Sequence, residues 1–138
     1  MILVIDTSDG KSLSVVLAKS RGAILVGRTI PTDFDQSEKI LPLIEKELRA
    51  SQFKLTDLKG IGVIQGPGGF TSLRIGISTA NALAYALQIP VVGISLSASK
   101  DYKSMAQKTL RRLSKSAKKS VVIPRYGREP NITRPKKA

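Results

Sequence analysis

A mixed α/β fold, with five strands in the spatial order 3-2-1-4-5, is what this 138-residue sequence predicts. Two observations carry that expectation. The first three apolar segments follow one another with turns and no helix between them, which fits an antiparallel meander. After them, helical and strand patterns alternate, and a strand–helix–strand unit closes as a right-handed crossover with parallel strands.

The elements follow in order. Ile2 to Ile5 is a continuous apolar run, as in a strand buried on both faces. It ends in the polar turn from Asp6 to Lys11, which contains Asp9-Gly10. Leu13 to Ala18 is the second strand, Lys19-Ser20-Arg21-Gly22 the hairpin turn, and Ala23 to Ile30 the third strand. Pro31 ends the pairing because it has no N–H to donate. A helix is expected from Asp35 or Gln36 to Gln52, with Asp35 as N-cap, Glu38 three residues on, and a kink at Pro42. Gly60 to Ile64 is the fourth strand, a second helix capped by Thr71 runs to Gln88, and Val91 to Ile94 is the fifth strand. This order is that of the ribonuclease-H-like, actin-like ATPase (ASKHA) fold. Beyond it, Tyr102, Ala106, Leu110 and Leu113 predict a basic amphipathic helix to Lys119, and Val121 to Ile123 predicts one more short strand. The organisation is therefore a subdomain over 1–98, a basic helix over 99–119 and a basic, proline-containing tail over 120–138.

Composition removes whole classes of chemistry. There is no Cys, no His and no Trp. Thiolate nucleophiles, zinc ribbons, His-ligated metals, metalloprotease sites and Ser-His-Asp triads are excluded, and no metal site is expected. No apolar run approaches the ~20 residues of a membrane span, and Met1 leads straight into the first strand, so a cytoplasmic protein without membrane contact is expected. Charge is unevenly distributed. Residues 1–99 carry 10 basic and 8 acidic residues, whereas residues 100–138 carry 13 basic and 2 acidic. That basic end suits either solubility or attraction to nucleic acid, with Arg111, Arg112, Lys115, Lys118, Lys119, Arg125 and Arg128 as the candidate RNA contacts.

Three stretches bear on function. The Gly-rich loop Gln65 to Phe70 precedes a helix N-terminus, where backbone N–H groups can meet an anion. It lacks the Lys-Ser/Thr of a P-loop, and a tight turn explains the same glycines. Asp6 and Thr7 end the first strand, where a carboxylate and hydroxyl face phosphate and metal in actin-like ATPases; an Asx-type turn is the plainer reading. In the second helix, Leu73, Gly76, Ile77, Ala80, Leu83, Ala84 and Leu87 share one face, and Ile75, Ala82 and Ala86 lie opposite. That apolar arc is about twice the ~100° a sheet requires. Gly76, Ala80 and Ala84 also permit close approach by another helix, either the first helix of this chain or one from another subunit.

Met1 to Ser8, Ser37 to Ile44, and above all Gly66-Pro67-Gly68-Gly69-Phe70-Thr71-Ser72-Leu73-Arg74-Ile75-Gly76 resemble the bacterial TsaB (YeaZ) family of tRNA threonylcarbamoyladenosine biosynthesis proteins. Ala82 to Leu87 and Ile89 to Ile94 continue the likeness, which spans residues 1 to about 98. The resemblance implies a non-catalytic scaffold subunit. Its partner would be a catalytic TsaD-like transferase, with a TsaE-like ATPase joining and tRNA as the substrate of the complex. The first two helices of each partner would form the contact. Ile40, Leu41, Ile44 and Leu48, with the second helix's apolar face, are then candidate interface residues, and a homodimer through the same helices is a further option. Gly66 to Thr71 and Arg74 are the family-motif residues, and Asp6 and Thr7 a vestigial nucleotide or metal site.

The chain departs from the family pattern in places. Gln36-Ser37-Glu38 stands where His-Ser-Glu is usual, and Gly69 and Ser72 occupy two changed loop positions. Pro124 to Asn131 looks like the family's closing segment, with a second folded half missing before it. Since nucleotide lies between two halves in actin-like folds, no cofactor is expected to bind the chain alone, and ATP with Mg²⁺ only in complex with the partner. The competing classes are a basic RNA-binding module and a minimal ATPase. The latter is weakened because the glycine loop holds no lysine.

Overall fold

The computed structural model describes residues 1–99, 101–116 and 121–126. Five strands form one sheet: β1 (Ile2–Asp6), β2 (Ser12–Ala18), β3 (Ile24–Pro31), β4 (Gly60–Gly66) and β5 (Val91–Ser95). Their order is β3-β2-β1-β4-β5, as the sequence predicts. β1–β2 and β2–β3 pair antiparallel, while β1–β4 and β4–β5 pair parallel. The β2–β3 hairpin closes through Lys19 N–H donating to Ala23 O at 2.8 Å and Gly22 N–H donating to Lys19 O at 2.8 Å. Gly22 takes the left-handed conformation that this turn requires, at φ +96°.

Helices cover both faces. α1 (Gln36–Ala50) and α2 (Phe70–Leu87) lie on one face, and α3 (Tyr102–Leu113) lies on the other. Side chains alternate along each strand. Leu3, Ile5, Ile61 and Val63 therefore point to α1 and α2, and Ile2 and Val4 share the α3 side with Gly60 and Gly62. These residues form one core, completed by Ile40, Ile44, Leu48, Leu73, Ile77, Ala80 and Ala84 on one side and Met105 and Ala106 on the other. A Cβ on Gly62 would run into the Thr109 side chain and one on Gly27 into the Tyr102 ring, so the bare backbone lets α3 come close. Tyr102 also bonds Thr29 through its hydroxyl at 2.6 Å. The basic helix is thus part of the main core.

Several local expectations are corrected. Asp35 does not cap α1 with its side chain; its carboxylate accepts from Asp33 N–H at 2.9 Å and pairs with Lys39 at 3.0 Å. Those contacts, the Asp33 hydrogen bond first, hold its carboxyl below the ordinary 3.8. Thr71 is not the α2 cap either, because the helix starts one residue earlier and Gly69 occupies the cap position. α1 remains helical through Pro42 and ends at Ala50. α3 ends at Leu113, followed by a turn; Lys118, Lys119 and Arg128 lie outside the described residues. Asp101, unremarked in the sequence, caps α3 by accepting from Ser104 N–H at 2.7 Å, which holds its carboxyl below the ordinary 3.8. Val121 to Ile123 forms no strand. Residues 121–126 instead run as an extended strap across the carboxyl end of β4 and α2, with Val122 buried in the core.

One contact positions α2. Thr7, fully buried just after β1, donates from Oγ1 to Ser72 O at 2.6 Å and accepts from Gly76 N–H at 3.1 Å. Ser72 C=O and Gly76 N–H are i→i−4 partners in a helix, so the hydroxyl enters the helical ladder from outside. A Cβ at Gly76 would collide with Thr7 Oγ1. Only glycine fits there.

Gly76→Ala is expected to destabilise the fold, and Thr7→Ala to cost about 1–3 kcal/mol by removing a buried hydrogen-bond partner. The double variant should cost less than the sum, with a coupling of about 0.5–3 kcal/mol in urea unfolding. Additive costs would show that α2 is placed by other contacts.

Candidate functional site

The carboxyl ends of β1 and β4 and the N-terminus of α2 meet at the loop Gly66–Gly69, where the sequence places its function-bearing motifs. Gly66 has φ +147°, and a Cβ there would strike the Arg125 carbonyl. The Gly66–Pro67 peptide is cis. Gly69 N–H donates to Ser8 O at 3.0 Å, and Ser72 Oγ reaches Gly69 O at 3.2 Å. The Gly69 amide is therefore used in fastening the loop to the β1–β2 turn. Thr71 and Arg74 are exposed at the start of α2. Phe70 is flanked by Arg74, whose guanidinium lies 4.9 Å from the ring centroid, and by Tyr126, stacked at 4.4 Å.

Asp6 and Thr7 do not fit a nucleotide or metal site in this chain. The Thr7 hydroxyl has spent its donor and an acceptor inside α2 and has no exposure with which to meet a phosphate. Asp6 Oδ1 accepts from Ser8 N–H at 2.8 Å and from Ser8 Oγ at 2.6 Å, the Asx-type turn that competes with the phosphate reading. Among the described residues there is no group of three or more His, Cys, Asp or Glu that could hold a metal ion. The corner's carboxylate–hydroxyl contact, Ser8 Oγ donating to Asp6 Oδ1, closes the same turn that Ser8 N–H closes. These hydrogen bonds are structural.

The candidate interface residues divide sharply. Ile40, Ile44, Leu48, Leu73, Gly76, Ile77, Ala80 and Ala84 are buried within this chain, so the Gly76/Ala80/Ala84 stripe is spent on its own core. Leu83 and Leu87 are half-buried, and Leu41 is 53% exposed. The outer side of α2 is formed by Arg74, Ser78, Ala82 and Ala86 at four-residue steps, with Tyr85 beside them at 80% exposure. Two-sided apolarity is real, but its outer half is the Ala82/Ala86 side.

Of the candidate RNA contacts, Arg111, Arg112, Lys115 and Arg125 are exposed and line one groove beside β5, together with Lys108. Arg125 reaches it because two amide side chains fix the strap. Asn81 Nδ2 donates to Val122 O at 3.0 Å while its Oδ1 accepts from Val122 N–H at 2.9 Å. Gln65 Nε2 donates to Ile123 O at 2.8 Å, and Gln65 O accepts from Arg125 N–H at 2.8 Å. Gln36 does similar work at the β1–β2 turn, donating from Nε2 to Asp9 O at 2.7 Å and Ser12 O at 2.9 Å. Sequence reasoning missed Asn81 and Lys108, and took Gln65 as the start of the glycine loop rather than as the strap's anchor. An amide set between Ala80 and Ala82 in α2 was the available signal for Asn81.

No helix among the described residues is long and apolar enough to cross a membrane. A family model described as "TsaD: tRNA N6-adenosine threonylcarbamoyltransferase" matches residues 30–109, more than half of the chain. A tRNA threonylcarbamoyladenosine biosynthesis protein TsaB from Buchnera aphidicola subsp. Schizaphis graminum is 38% identical over 96 residues, covering 69% of this chain and 44% of the relative. A tRNA N6-adenosine threonylcarbamoyltransferase from Geotalea uraniireducens is 50% identical over 58 residues, covering 42% of this chain and 17% of the relative. Among solved structures, YeaZ from Pseudomonas aeruginosa superposes with a TM-score of 0.63 at 31% identity, covering 68% of this chain and 43% of that one. The chain thus spans less than half the length of these relatives. Its sheet order is that of the actin-like, ribonuclease-H-like fold, which these structural neighbours share. By sequence match and by fold, the chain belongs to the TsaD (tRNA N6-adenosine threonylcarbamoyltransferase) family and is a homologue of the TsaB (YeaZ) proteins.

Proposed function

We propose that this chain serves tRNA threonylcarbamoyladenosine biosynthesis as a non-catalytic subunit, bound to a TsaD-like transferase through the outer sides of α1 and α2. The observation that carries this reading is the exposed apolar surface on those helices: Leu41 on α1, and Ala82, Tyr85 and Ala86 on α2. Small residues at Ser78, Ala82 and Ala86 allow a partner helix close approach, and Tyr85 supplies a large amphipathic contact. Kinship with TsaB proteins supports the biosynthetic role. The non-catalytic reading is supported by a sequence without His or Cys and by a Thr7 hydroxyl engaged in the fold. In this reading the complex, rather than the chain alone, holds ATP with Mg²⁺ and takes tRNA as substrate. A TsaE-like ATPase is its third member, and self-association through the same helices is the state the chain adopts without its partner.

Ala82→Arg is expected to leave thermal unfolding unchanged and to weaken co-elution with the transferase subunit by at least tenfold, the effect of about 1.4 kcal/mol at a packed interface. Ala80→Arg should instead unfold the chain, since a charge would enter the core where Ala80 has no exposure. An Ala82→Arg protein that is folded and still binds its partner at full strength would remove α2 from the interface.

The purified chain is also expected to show no ATP turnover and no threonylcarbamoyl transfer by itself. Turnover that persists through purification and disappears in Asp6→Asn would overturn the non-catalytic reading.

A further inference from the structure

α3 carries Lys108, Arg111 and Arg112 along one side, and Lys115 follows in the turn just after the helix, at intervals of three and four residues. Successive levels are therefore about one turn, ~5.4 Å, apart. Facing them across an open groove of about 810 Å³, floored by β5, stands Arg125 on the strap. Arg111, Arg112, Lys115 and Arg125 are exposed and Lys108 half-exposed. No carboxylate is found among the described residues that line the groove.

Elsewhere the cations are mixed: Lys19, Arg21, Lys46, Lys54, Lys59, Arg74 and Lys103 stand without an ion pair among the described residues, and four others are paired. Lys11, Arg28, Lys39 and Arg49 each pair with a carboxylate at 2.7–3.2 Å. Two of those pairs are i,i+4 pairs involving α1, Asp35–Lys39 and Glu45–Arg49, the arrangement that supports an exposed helix. α3 does the opposite. Lys108–Arg112 is a like-charge i,i+4 pair and Lys108–Arg111 a like-charge i,i+3 pair, each unfavourable to the isolated helix, and Lys115 adds a further positive charge in the turn that follows. None of the five groove cations has an ion pair among the described residues. Cations held at fixed positions on both banks concentrate positive potential in the groove, which an anionic chain laid along it would neutralise at several points at once.

A membrane surface fits less well, because a basic amphipathic helix binds lipid through its apolar side. Here that side, with Met105, Ala106 and Thr109, is buried against the chain's own sheet. The geometry points to the groove between α3 and the 121–126 strap as a binding site for the phosphate backbone of tRNA. The identity of the polyanion rests on the proposed role in tRNA modification; the existence of a polyanion site rests on the groove alone.

The test measures binding of an unmodified tRNA transcript by the full chain, by fluorescence anisotropy across a salt series. The groove variant is Arg111→Gln/Arg112→Gln, with Lys108→Gln/Lys115→Gln as an independent second pair. Lys46→Gln/Lys54→Gln provides an equal change of charge at two exposed lysines that do not line the groove. Each groove pair is expected to weaken binding at least tenfold and to flatten the slope of log K against log[salt] by about 1.4, at ~0.7 per lost phosphate contact. The Lys46/Lys54 variant should change both much less. Equal losses in all three variants would assign the binding to net charge and overturn the site, as would unchanged binding in both groove variants. Phosphatidylserine vesicles or polyglutamate bound as tightly as tRNA, with the same sensitivity to the groove variants, would overturn the assignment to RNA. Co-elution with the transferase subunit is measured on the same proteins. Groove variants that keep the partner but bind tRNA normally defeat this inference alone. A wild-type chain that binds tRNA through the groove but no partner defeats the scaffold reading alone.

Discussion

A single hydroxyl sets the geometry on which both helical faces depend. Thr7 Oγ1 enters the ladder of α2 between Ser72 C=O and Gly76 N–H, fixing the first two turns of that helix over the end of β1. The rest of α2 has little rotational freedom once that contact is made. Leu73, Ile77, Ala80 and Ala84 are turned to the sheet, and Arg74, Ser78, Ala82 and Ala86 away from it. The same contact accounts for Gly76 and draws the Gly66–Gly69 loop against Ser8. It also removes from nucleotide chemistry the hydroxyl that an actin-like ATPase would present to phosphate. Thr7 serves here as a structural pin.

Amide side chains hold what the sheet does not. Asn81 offers Val122 one donor and one acceptor, as a neighbouring strand would, and Gln65 adds a donor to Ile123 and a backbone acceptor to Arg125. The strap lies beside the sheet without joining a ladder, yet four hydrogen bonds and the burial of Val122 fix it. Gln36 supplies donors to two carbonyls of the β1–β2 turn from the first residue of α1. Buried carbonyls without partners would each cost about 1–3 kcal/mol, so these amides stabilise segments that secondary structure leaves unpaired.

The strands were legible because their signals are local. Ile2 to Ile5 could only be a doubly covered strand, and Gly22 and Pro31 mark the hairpin and its end. Helix caps were less legible, because Asp35 and Thr71 suit the cap by residue type while a neighbouring contact decides. Lys39 and the Asp33 amide hold the Asp35 carboxylate, and the loop bound to Ser8 starts α2 a residue early at Phe70. The interface was half legible. Periodicity showed two apolar sides on α2, but not which one the sheet would take, since Ala80 and Ala82 are chemically alike. Only the Thr7 contact, 69 residues away in sequence from Gly76, distinguishes them. The strap was illegible as such, because Val121 to Ile123 reads as a strand and its true partners are two side chains.

The two faces of the sheet carry different charge patterns, and the core explains how one small domain supports both. α1 interleaves acids and bases and leaves Leu41 and its neighbours as an apolar outer surface, the composition of a protein contact. α3 buries Met105, Ala106 and Thr109 and packs Tyr102, Leu110 and Leu113 against the core through the close approach allowed by Gly27 and Gly62, so its outer side is free to be cationic without loss of that packing. Self-repulsion among Lys108, Arg111 and Arg112 is then carried by the stability of the shared core, since helix propensity alone would not offset it. Because α1 and α2 lie on one face and α3 on the other, a partner on the first face leaves the basic groove beside β5 open to a polyanion. Under the proposed scaffold role, that arrangement would add the α3 groove to the positively charged surface offered to RNA.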